Sequence, residues 1–173
     1  AGGTAPRTGQ GRVLVVDDDP VARDLLRVYL EDAGFTVITA ASAEEAVEAV
    51  GGSRPDLITL DLNMPGTDGL SFLGAMSEME AFSGVPVLVV SGADRPERAL
   101  ALGAEAVLPK PIRRHEFLRV VRRFLGGDPN RRPYVLLVDD DPKAIKVVSS
   151  YFSGEVVELR CAHGGARGVG VRG

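Results

Sequence analysis

Five short apolar runs, at residues 12–16, 35–40, 56–60, 85–90 and 104–108, pace the first two thirds of the chain, and a stretch with helical spacing separates each from the next. Runs this short and this apolar read as strands buried on both faces. Strands that alternate with helices pair in parallel through right-handed crossovers, so the expected class is α/β. The punctuation agrees. Pro20 suits a first helical turn, and Ala22, Leu25, Leu26, Tyr29, Leu30 and Ala33 recur as a core stripe up to Gly34, a C-cap residue. Ser42 and Glu45 form a capping box for a second helix that ends at Gly51-Gly52. Asp68 caps a helix through Leu70, Phe72, Leu73 and Met76, and residues 113–125 form the last one.

Two of the strands end directly on acids. Residues 12–16 run into Asp17-Asp18-Asp19, and residues 56–60 run into Asp61. Open α/β sheets place their ligands at the carboxyl ends of their strands. If the two strands are neighbours, three or four carboxylates converge there, and at about 4 Å each like-charge pair costs roughly 4 kcal/mol at an effective dielectric of ~20. A cation or a proton must neutralise such a group. Asp19, just before Pro20, reads as a helix N-cap, which leaves Asp17, Asp18 and Asp61 as metal ligands. A hard cation such as Mg²⁺ needs little more than two carboxylates and a backbone carbonyl, here that of Asn63. Ser91 adds a hydroxyl at the end of the fourth strand, and Lys110 adds an ammonium at the end of the fifth. That set suits a phosphoryl group, with Asp61 as the nucleophile. Met64-Pro65-Gly66 and Gly69 read as turn geometry.

Composition narrows the class further. With 45% hydrophobic and 25% charged residues the chain reads as soluble and globular, and its net charge of -4 argues against nucleic acid as a partner. No apolar run approaches the roughly 20 residues that span a bilayer. A lone cysteine, Cys161, suits a reducing cytoplasm, and neither it nor His163 has companions for a metal site. The basic run Arg113, Arg114, Arg119, Arg122 and Arg123 reads as a solvated helix face.

The chain also repeats itself. Residues 12–20 reappear 122 positions later as residues 134–142, and the same offset carries Ala22 onto Ala144 and Tyr29 onto Tyr151. A repeat of this length denotes a second copy of a domain. After one more strand-like run at 155–160 the apolar pattern stops, and no counterpart of Asp61 follows. The expected organisation is a flexible tail over 1–11, a domain over 12–126, a linker over 127–133 and an incomplete second copy over 134–173. A piece of that size cannot cover a sheet on two faces. It is expected to be a truncation, or to lean on the first domain or on another chain.

Val15-Val16-Asp17-Asp18-Asp19-Pro20, the run from Leu60 through Asp61-Leu62-Asn63-Met64-Pro65-Gly66-Thr67-Asp68-Gly69, Val89-Val90-Ser91-Gly92 and Leu108-Pro109-Lys110-Pro111 together resemble the receiver domain of bacterial two-component response regulators. The resemblance covers residues 12–125. It implies a flavodoxin-like, doubly wound (βα)5 fold with a five-stranded parallel sheet of order 2-1-3-4-5. It further implies that Asp61 accepts a phosphoryl group from a histidine kinase or phosphotransfer protein, that Asp17 and Asp18 bind Mg²⁺, and that Ser91 and Lys110 grip the phosphoryl group. The Lys110–Pro111 bond would be cis. Such a chain is a cytoplasmic signalling switch that loses its phosphoryl group slowly, with Asn63 and Ala93 flanking the pocket and setting the lifetime. Val21 and Val28 are either a docking patch for a kinase helical bundle or ordinary exposed residues, and a homodimer through the last helix–strand–helix face or the second segment is a further expectation. One departure stands out: many receivers carry an aromatic residue three positions before the lysine, and here that residue is Val107.

Two rivals remain at this stage. An aspartyl-nucleophile phosphatase would use the Asp-x-Asp spacing of residues 17–19, with Asp17 as nucleophile. A pure scaffold would keep the pocket and never be phosphorylated.

Overall fold

A computed structural model describes residues 11–92 and 96–126 and two strands further on, 134–138 and 158–162. The expected tail (bar Gly11), the linker, Ala93 and the remainder of the second copy lie outside the described residues. In chain order the elements are β1 (Arg12–Val16), α1 (Pro20–Asp32), β2 (Thr36–Ala40), α2 (Ala43–Gly52), β3 (Leu57–Leu60), β4 (Asn63–Met64), β5 (Thr67–Asp68), α3 (Gly69–Met76), β6 (Val87–Ser91), α4 (Pro96–Ala101), β7 (Ala106–Pro109), α5 (Arg114–Leu125), β8 (Tyr134–Val138) and β9 (Glu158–Ala162). A single 3₁₀ turn, Glu80–Phe82, precedes β6. No helix among the described residues is long and apolar enough to cross a membrane.

The main sheet runs β2-β1-β3-β6-β7-β8-β9, parallel throughout. Its first five members keep the expected order 2-1-3-4-5. The sheet does not stop there, as a five-stranded one would: β8 pairs with β7 and β9 pairs with β8, giving seven strands. The continuation has a simple physical basis, since the backbone groups along the outer side of β7 are open to any strand that reaches them.

Alternate residues of the strands feed two cores. Leu14, Val16, Ile58, Leu60 and Val89 pack under Ala46, Phe72, Leu73, Met76 and Ala99 of α2, α3 and α4. Val13, Val15, Leu57, Leu88 and Leu108 pack under Leu26, Leu30, Phe117, Val121 and Phe124 of α1 and α5. Each fully buried side chain of this size contributes about 1.5–3 kcal/mol, which fixes the strand register and hence which residues reach the carboxyl edge.

Local chemistry sets the helix starts. Asp19 accepts a hydrogen bond from Val21 N at 3.0 Å, with Pro20 in the first turn. Ser42 accepts from Glu45 N at 3.1 Å, but the Glu45 carboxylate reaches one residue further back than a capping box would, to Ala41 N at 2.7 Å. The α1 stripe is narrower than its spacing suggests. Leu26 and Leu30 are buried, whereas Leu25 is 42% exposed and lies with Val21 and Val28 on the outer face.

Candidate functional site

Backbone ladders carry the site residues one step past the strand ends and line them up. Asp17 N donates to Ala40 O at 3.1 Å, Asp61 N to Val16 O at 2.9 Å, and Lys110 N to Ser91 O at 3.3 Å. Asp17, Asp61, Ser91 and Lys110 therefore share the carboxyl edge of the sheet. The two buried acids are held in the same manner. Asp17 Oδ1 accepts from Asp19 N at 2.9 Å, and Asp61 Oδ1 accepts from Asn63 N at 3.0 Å; each is an Asx turn closed two residues on. Their remaining oxygens face one ammonium, Lys110 Nζ, which donates to Asp17 Oδ2 at 2.8 Å and to Asp61 Oδ2 at 3.1 Å. Asp17 is 1% exposed and Asp61 5%, so the pair lies out of bulk water.

Asp18 completes the acidic group. It is half-buried, and Asp17, Asp18 and Asp61 each place a carboxylate oxygen within 4.8 Å of the others. Burial pushes the Asp17 carboxyl above its ordinary value, and the Asp61 charge adds to that. The Lys110 bond and the Asp19 amide oppose it without cancelling it. For Lys110, burial works against the charged form, but its bonds to Asp17 and Asp61 outweigh burial and raise it above the ordinary value. Lys110 is thus a cation at neutral pH, shared between two buried acids of the cleft.

Ser91 is 3% exposed at the end of β6, one strand from Asp61. Asn63 turns its side chain outward while its backbone amide holds Asp61. The Lys110–Pro111 bond is cis. Val107 is buried in the core beneath α2, α3 and α4. Sequence reasoning passed over Arg23. Its Nη1 donates to the carbonyls of Asp17 at 2.7 Å and Asp18 at 3.4 Å, bracing the acidic loop from α1. Its only sequence signal is a place one turn into the helix that follows the acids.

The loop after Asp61 closes as a two-residue hairpin between β4 and β5, with Gly66 at φ +76°. Gly69 then passes so close to Leu62 that a Cβ on it would lie 2.5 Å from the Leu62 carbonyl oxygen. Gly69→Ala is expected to destabilise the fold by about 1–3 kcal/mol through backbone displacement, read as a lower midpoint in urea. An unchanged midpoint would mean that the loop yields freely.

A doubly wound α/β sheet with an acid-lined cleft at its carboxyl edge defines the class. Within that class the response regulator receiver domain matches residues 13–122, more than half of the chain. The chain belongs to that family. It is 32% identical over 158 residues to the DNA-binding response regulator MtrA of Mycolicibacterium smegmatis, a match covering 88% of this chain and 67% of that protein. Among solved structures it is similar to the chemotaxis protein CheY4 of Vibrio cholerae, with 33% identity, TM-score 0.61, and coverage of 65% of this chain and 97% of that one. The receiver domain of the sensor histidine kinase PA1611 of Pseudomonas aeruginosa, solved with a magnesium ion in its active site cleft, matches at 28% identity and TM-score 0.62, covering 68% of this chain and 98% of that one. The chain spans about half the length of several curated regulatory proteins that it matches.

Proposed function

We propose that Asp61 is the residue on which this receiver takes its phosphoryl group, with Mg²⁺ as cofactor and a histidine kinase or phosphotransfer protein as donor. The observation that carries this reading is the sharing of Lys110 Nζ between two buried carboxylates, with a third carboxylate within reach. Among the described residues three carboxylates gather beside the Lys110 ammonium, and an all-oxygen donor set is what a small hard cation takes. Asp17, Asp18, Asp61 and the backbone carbonyl of Asn63 would hold the ion. Bound there, Mg²⁺ supplies positive charge to the phosphoryl oxygens.

The chain's own residues supply the rest. The Asn63 amide and Lys110 hold the Asp61 carboxylate in place, so its oxygen meets phosphorus with little reorganisation as the bond to the donor histidine breaks. Lys110, with three donors on a flexible stem, passes from the carboxylate to a phosphoryl oxygen. The Ser91 hydroxyl offers a further hydrogen bond. Val21, Leu25 and Val28, 76%, 42% and 43% exposed, lie on the helix that leaves the acidic loop and form an apolar patch for the donor's helices. In this reading the chain is a cytoplasmic switch whose own chemistry is limited to gaining and slowly losing the phosphoryl group.

Acetyl phosphate with Mg²⁺ is expected to add one phosphoryl group, read as intact mass; no gain in mass rejects the reading in favour of a scaffold. The metal is tested separately. Mg²⁺ at about ten times its Kd stabilises by ~1.4 kcal/mol through mass action, a rise of a few degrees in Tm. Asp17→Asn is expected to erase that rise. A rise that survives the substitution places the ion elsewhere.

A further inference from the structure

We propose that Arg23 is a positioning residue for the metal: by gripping the backbone of the acidic loop, it sets how tightly Asp17 and Asp18 hold Mg²⁺. The role presupposes Mg²⁺ in the cleft, as proposed above, and falls to a side chain outside the donor set.

The three acids of the site are held in different ways. Asp17 and Asp61 each have one carboxylate oxygen fixed by an amide two residues on and the other bound to Lys110. Asp18 has neither hold. Among the described residues its carboxylate accepts no hydrogen bond, although it stands within 4.8 Å of the other two. Like charges repel across such a gap. The place of Asp18 is therefore set by its main chain.

Arg23 holds that main chain. Its Nη1 donates to the Asp17 carbonyl at 2.7 Å, a short charge-assisted bond, and to the Asp18 carbonyl at 3.4 Å. Its own amide donates to Asp19 O at 2.9 Å. One residue of α1 thus grips the carbonyls of Asp17, Asp18 and Asp19, while the Asp17 amide is tied to β2 through Ala40 O. Partners of this kind orient a metal's ligands without touching the ion, and losing one costs roughly 10–100-fold in affinity. The guanidinium also has an effect of opposite sign, since a cation beside the acids repels Mg²⁺. Arg23 is only half-buried, so solvent and salt screen its charge, whereas the 2.7 Å bond acts directly. Positioning outweighs repulsion.

Melting the full chain at increasing Mg²⁺, with no phosphodonor present, gives the Kd from the rise in Tm. Arg23→Gln is expected to raise that Kd about tenfold. Incorporation from acetyl phosphate should be slowed only below saturation, with the wild-type rate regained at high Mg²⁺. Arg23→Lys offers one ammonium to the same carbonyls, as Nη1 does, and is expected to recover most of the lost affinity. Both substitutions suit a helix, so α1 is kept. An unchanged or lower Kd in Arg23→Gln, a rate deficit that persists at saturation, or an Arg23→Lys variant no better than Arg23→Gln overturns the positioning role. A wild type whose Tm ignores Mg²⁺ removes the metal site itself, and the role with it.

Discussion

Asp61→Asn is expected to abolish phosphorylation by acetyl phosphate while leaving a folded domain. Asparagine keeps the carbonyl oxygen that accepts the Asn63 amide at 3.0 Å, so the loop that carries it stays closed. What disappears is the anionic oxygen that attacks phosphorus. The substitution also relieves crowding, since one of the charges that holds Asp17 above its ordinary carboxyl value is gone. The variant should therefore melt no lower than the wild type, and the loss of incorporation reports chemistry alone. Asp17→Asn gives the contrast that excludes the phosphatase reading. There the acceptor survives and the metal site does not, so incorporation is slowed and remains detectable. Equal and complete loss in both variants, or loss only at Asp17, would transfer the nucleophile to the first acidic loop.

Lys110→Met should produce the largest change in stability. Lys110 bridges Asp17 and Asp61, whose side chains are 2% and 6% exposed, and is itself 28% exposed. Methionine retains most of the apolar stem and removes the charge. Two buried carboxylates then face each other unpaired, a loss of about 3 kcal/mol at neutral pH, measured as a lower denaturant midpoint without Mg²⁺. The sign of the pH dependence follows from Asp17. Burial already holds it above its ordinary value, and loss of the ammonium pushes it further up. A carboxyl raised in the folded state is a full burden above its folded pKa and none below its ordinary value, so the deficit is present at neutral pH and shrinks as pH falls through the folded value. Mg²⁺ should restore part of it at neutral pH. A deficit independent of both pH and Mg²⁺ would trace to lost packing instead.

How far the sequence revealed this arrangement depends on the range of the forces involved. The five main-sheet strands of residues 12–109 and the helices between them were legible because each is a local apolar pattern with its own cap or breaker. Asp17 and Asp61 were legible because each follows its strand without an intervening residue. Lys110 could be placed at the same edge from its strand, but that it bridges both acids, across 93 and 49 residues, depends on how the sheet is assembled. Arg23 was hidden because its partners are backbone carbonyls, which leave no trace in side-chain spacing. The hairpin of β4 and β5 has two residues per strand, too few for any period. Leu25 fits the helical repeat yet stays outside, since its neighbours Leu26 and Leu30 already fill the contact with the sheet. The continuation of the sheet through β8 and β9 rests on one edge meeting another, which no local pattern records.

All of the functional account turns on which carboxylate becomes the acyl phosphate. Borohydride reduction of the phosphorylated protein converts that aspartate to homoserine, and tandem mass spectrometry of the peptides locates it. Homoserine at position 61 and at no other acid is the predicted result; homoserine at position 17 or 18, or none in a sample that has gained the phosphoryl mass, contradicts it.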